Sequence, residues 1–140
     1  MSHIHNRAVP FGAALALVAS LAAAPAAQAH QCVDVDLLRA PDRAQAGDMI
    51  VAEGSVTNCG EPARGFLLAW VLVDDVGDRI TLHRNVAQVE PGQTSTGSVR
   101  LLLPTRIRPG VYTLVLHGEA PSGFTDSDGQ RIEIGPSRGR

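Results

Sequence analysis

The sequence predicts an all-β fold: a single β-sandwich of about seven strands behind a cleaved signal peptide. Three observations carry this. Phe66 to Val73 is an unbroken run of eight apolar residues holding the only tryptophan, Trp70, between Gly65 and an acidic turn. It is too short to cross a membrane as a helix and matches a central strand covered on both faces. Short segments of alternating polarity surround it, punctuated by turn residues at intervals of roughly 8–12 residues. Beyond the leader, no amphipathic helix of useful length and no internal repeat can be drawn.

The leader is residues 1–29. Arg7 is its only charged side chain, Phe11 to Ala24 is rich in alanine and leucine, and Pro25 precedes Ala27-Gln28-Ala29. That order of a charged start, an apolar core and a small-x-small site is a secretory signal peptide. Cleavage after Ala29 leaves 111 residues, enough for one core. The domain is placed at residues 30–135, with a disordered tail at 136–140. Export fits the two cysteines, Cys32 and Cys59, as one disulfide. The protein is therefore placed in the periplasm or outside the cell, with no membrane span in the mature chain.

The strands follow in order. Cys32 to Leu37 alternates apolar and acidic, an edge strand with aspartates on one face. Ala40-Pro41-Asp42 ends it. Met49 to Asn58 is next, with Ile50, Ala52, Gly54 and Val56 inward, and Asn58 to Pro62 is its turn-rich exit. After Phe66 to Val73, with Trp70 in the core, Gly77 supplies a positive φ for the hairpin at 74–78. Arg79 to Val86 places Ile80 and Leu82 on one face, Thr81 and His83 on the other. Thr94 to Leu103 has Val99, Leu101 and Leu103 inward, and Pro104 ends it. Val111 to His117 follows Arg108-Pro109-Gly110, with Tyr112, Leu114 and Leu116 inward and His117 outward. Asp128-Gly129 reads as a hairpin turn before a last short strand, Gln130 to Ile134.

Three stretches, in this order, carry a resemblance. They are Gly47 to Val51 leading to Val56-Thr57-Asn58-Cys59-Gly60, then Pro91-Gly92-Gln93-Thr94, then Pro109-Gly110-Val111-Tyr112. Together the chain resembles the bacterial immunoglobulin-like domains related to cell adhesion, the CARDB type. The resemblance implies an immunoglobulin-like sandwich with a tyrosine corner at Tyr112, and a non-catalytic module for adhesion, spacing or assembly at a bacterial surface.

Composition narrows function further. Twelve arginines stand against 14 acidic residues, no lysine is present, and the net charge is −2. Such a chain lacks the basic face that nucleic acid requires. No Gly-x-Ser-x-Gly elbow, HExxH motif or phosphate loop appears, so no enzyme is predicted. Asp126-Ser127-Asp128-Gly129 begins like a calcium loop, but glycine falls fourth rather than sixth, and no glutamate stands twelfth. Arg106 and Arg108 read as solubilising charge. One metal site can be drawn. Cleavage after Ala29 would make His30 the mature terminus, where amine and imidazole together chelate Cu(II). His83 and His117 are the other histidines of the mature chain. The expectation is thus an exported binding or interaction module with an unidentified protein or cell-surface partner. The alternatives are a small copper-binding protein using His30, and an inhibitor or assembly factor acting through a loop or an edge strand. The first and last strands are the predicted edges.

Overall fold

The computed structural model describes residues 32–138. The leader, His30 and the last two residues of the tail lie outside them. Among the described residues there are eight strands and no helix. They are β1 (Val33–Arg39), β2 (Arg43–Gln45), β3 (Met49–Asn58), β4 (Gly65–Val73), β5 (Arg79–Gln88), β6 (Thr94–Leu102), β7 (Gly110–Glu119) and β8 (Thr125–Gly135). One sheet has the order β1-β3-β6 and the other β2-β8-β7-β4-β5. The fold is an all-β sandwich, and Cys32 is bonded to Cys59 with a Cα separation of 5.2 Å.

The period-2 pattern explains the core. Ile50, Ala52 and Val56 of β3 face Phe66, Trp70 and Leu72 of β4 and Leu114 and Leu116 of β7, all buried. Each such side chain contributes about 1.5–3 kcal/mol when fully buried. Two glycines bring the sheets together. A Cβ on Gly54 would stand 2.6 Å from Leu116 Cδ2, and one on Gly118 would stand 2.6 Å from Val35 Cγ1. The Tyr112 hydroxyl donates to the Arg108 carbonyl at 2.6 Å, the geometry of a tyrosine corner.

The structure departs from the sequence expectation in four places. There are eight strands because Arg43–Gln45 pairs in parallel with residues 133–135 of β8. β4 is an interior strand but not the middle one, and its outer face is only partly covered: Leu67 there is 55% exposed, while Val71 is buried. Asp128-Gly129 is no hairpin, because β8 runs unbroken from Thr125 and the turn lies before it, at Ala120–Phe124, with Gly123 at φ +102°. Finally, β5 carries a bulge. Its pairing steps from Trp70–His83 to Val71–Thr81, leaving Leu82 as the extra residue. One extra residue flips the strand's parity. His83, Asn85 and Ala87 therefore share the inner face with their partners Trp70, Leu68 and Phe66.

Candidate functional site

The two sides of the sandwich differ. On one side β1 lies against β7 and β8, while on the other β5 and β6 meet sparingly. The closed side is held by charge. Asp126 and Asp128 take inward positions on β8, where they are buried. Asp126 Oδ2 accepts the Val35 N–H at 2.8 Å, and Asp128 Oδ2 accepts that of Leu37 at 2.8 Å. A carboxylate accepting a backbone N–H makes one of the stronger hydrogen bonds in a protein. These are the donors that an edge strand presents to an incoming strand. The acidic stretch that begins like a calcium loop is thus a seam between the two sheets. Of the two predicted edges, β1 is an edge, with the Val35 and Leu37 donors taken, while β8 is not one: it is interior, flanked by β2 and β7.

The same bonds fix which way β6 points. Backbone groups in an antiparallel ladder alternate between the two neighbours. Val35 and Leu37 direct their N–H groups away from β3, so their partners Val56 and Gly54 direct theirs toward β6. Val56 pairs with Ser95 and Gly54 with Gly97. Ser95, Gly97 and Val99 are therefore spent on β3, while Thr94, Thr96, Ser98 and Arg100 turn their N–H and C=O groups outward. Among the described residues no strand pairs with that edge. β6 also lacks the usual defences. Its register against β3 is unbroken over nine pairs, and Thr94 to Val99 contains no charge and no proline. β5, the facing edge, has its bulge and two arginines.

Between the two edges lies an opening of about 200 Å³, lined by Gly54, Gly97, Trp70, His83, Asn85 and Leu116 among others. This is smaller than the ~300–1,000 Å³ of ordinary small-molecule sites. Gly54 and Gly97 pair directly and both lack a side chain; Leu116 and Trp70 fill the place of one at Gly54, so the trench in the wall lies at Gly97. A Cβ on Gly97 would meet nothing within 4 Å.

The other predicted site residues are scattered. His30 lies outside the described residues. His83 is on the inner face of the five-stranded sheet, not outward as its spacing suggests. His117, opposite Ala69, is on the outer face, so the two histidines cannot share one ion. Among the described residues no three His, Cys, Asp or Glu side chains group to hold a metal. Asp74, in the acidic hairpin at 74–78, accepts the N–H groups of Val76 and Asp78 and lies 3.7 Å from Arg108. It stands at the Thr113 end of β7 and Asp126 at the other end, so the two acidic stretches do not meet. Asn58 and Glu61, read as turn residues, are buried. Asn58 bonds the carbonyls of Glu61 and Val89 and the N–H groups of Gly60 and Glu61, and Ser122 donates to Glu61.

No family model matches this chain, and no curated protein matches it. Among solved structures it is similar to part of a β-glucosidase from Listeria innocua in complex with gluconolactone. The TM-score is 0.57 at 14% identity, covering 75% of this chain and 16% of that one. A β-glucosidase from Erythrobacter marinus aligns with a TM-score of 0.56 at 15% identity, covering 73% and 15%. The chain spans about a sixth of the length of these enzymes, and the likeness is one of fold.

Proposed function

We propose that the protein is an exported, non-catalytic interaction module that receives an extended partner segment as an added strand on β6. The observation that carries this is the contrast between edges: the β1 donors are taken by buried aspartates, while Thr94, Thr96, Ser98 and Arg100 keep theirs. Strand addition draws affinity from main-chain hydrogen bonds at such an edge. The signal-peptide pattern and the disulfide support action in the periplasm or outside the cell. The resemblance to the CARDB type supports a role in assembly or adhesion. A non-catalytic reading is supported by the arrangement of the nearest acid–base pair. His117 Nδ1 and Ser127 Oγ, 2.8 Å apart, stand on the outer sheet face, and among the described residues no carboxylate is hydrogen-bonded to that imidazole.

The test is capture from periplasmic extract by the immobilised full chain and two variants. Thr96→Val keeps the edge N–H and changes the side chain. Thr96→Pro removes the N–H. The partner is expected on the parent protein and on Thr96→Val, and absent on Thr96→Pro. Equal capture by all three would exclude the β6 edge as the contact.

A further inference from the structure

We infer that the segment received by β6 is acidic and carries one bulky apolar side chain that seats in the opening over Gly97, against Trp70. This rests on the strand-addition reading and specifies its partner. A strand added to β6 sets one residue opposite Gly97, and directly opposed residues share a face. Gly97 faces inward, so that partner residue enters the opening. The N–H of Gly97 is spent on β3, so the new pair is a non-hydrogen-bonded one, in which side chains stand closest. The wall there has no side chain on either β3 or β6, and the indole of Trp70 and the Leu116 side chain lie beneath. The space, about 200 Å³, suits a single large side chain.

Charge gives the second half. β5 and β6 carry Arg79, Arg84 and Arg100 beside His83, and neither contains an aspartate or glutamate. All 14 acidic residues lie elsewhere in a chain of net charge −2. The ion pairs found among the described residues use Arg39, Arg43, Arg64, Arg108 and Arg138. Arg79, Arg84 and Arg100 take part in none of them; none of the three lines the opening, and Arg84 stands on the outer sheet face beside Glu119. Arg100, the one charge on β6, lies on the open edge itself, and a positive charge there speeds the approach of a negative strand and disfavours a positive one.

The test uses the full exported chain and three synthetic probes. The first is acetyl-Glu-Val-Glu-Phe-Glu-Val-Glu-amide, whose alternation sends phenylalanine inward and glutamates outward. The second replaces Phe with Ala, and the third replaces every Glu with Lys. Titration follows the fluorescence of Trp70, the sole tryptophan. The first probe is expected to bind at least about tenfold more tightly than either other, as for a buried anchor residue. Gly97→Val puts a side chain into the opening, where a Cβ would meet nothing within 4 Å, and should weaken the first probe by a similar factor. Equal affinity for all three probes, abolished by Ser98→Pro, would overturn the inferred chemistry and leave strand addition standing. Binding that Ser98→Pro leaves unchanged would overturn strand addition as well. No binding at millimolar probe, with a dimer in sedimentation equilibrium that Thr96→Pro dissolves, would make a second copy the occupant and overturn the inference. Absence of both binding and dimer would overturn it too.

Discussion

Gly54 and Gly97 are paired across β3 and β6, yet a methyl group added to each should act differently. At Gly54 it would meet Leu116 at 2.6 Å, Trp70 at 3.1 Å and the Asp36 carbonyl at 3.2 Å. Overpacking of this kind costs about 1–3 kcal/mol. Gly97→Ala meets open space and removes a glycine from a strand, so it should be neutral or slightly stabilising. Urea denaturation of the two variants checks the pair, and equal losses would contradict the trench. Asp128→Ala leaves the Leu37 N–H without its carboxylate. A buried donor left unmet costs about 1–3 kcal/mol, so a fall of that size in unfolding free energy is expected. Neither aspartate announces its role in the sequence, since Asp-Ser-Asp-Gly is common in turns. The bond from Asp128 to Leu37 spans 91 residues, and only the packing of the two sheets reveals it.

At the scale of the strand, the alternation of free and spent donors on β6 has a direct test. Thr96→Pro removes an outward N–H, which edge strands tolerate, while Gly97→Pro removes a ladder bond to β3. Gly97→Pro should therefore cost at least about 1 kcal/mol more than Thr96→Pro. Thermal melts that rank the two variants the other way would reverse the deduced pointing of the strand. The elements that the sequence disclosed are those with a clean alternation or, for β4, an unbroken apolar run. Met49–Asn58 is matched to the residue, and β4, β6 and β7 to within two. β8 was half hidden because its inward positions begin Asp126, Asp128, Gln130 and turn apolar only at Ile132. β2 was hidden because three residues have no period, and their extended form comes from the neighbour. His83 was placed on the wrong face because a bulge at Leu82 reverses parity and leaves no mark in composition. The candidate site was illegible for another reason: an open edge is defined by a neighbour that is missing, and only topology supplies that.

For the molecule as a whole, the disulfide is the main restraint on the unfolded chain. It links residues 27 apart, and the loop-entropy model assigns such a closure about 3–4 kcal/mol. Replacing both cysteines by serine should lower the unfolding free energy by about that amount while the sheets persist. Far-ultraviolet circular dichroism and urea midpoints of the double variant would show it. Between them the disulfide and the two aspartates hold β1 from opposite directions, one from β3 and one from β8. Those two attachments become possible at very different moments of the protein's life. In the order of synthesis Cys59 follows Cys32 by 27 residues, so the covalent link can close early. The carboxylates that accept the Val35 and Leu37 N–H groups are among the last residues made. Until they arrive the first strand is tethered but unsealed, with its donors as open as those of β6. The late arrival of β8 therefore orders the assembly of the first strand: its covalent tether can form before the carboxylates that occupy its N–H groups exist.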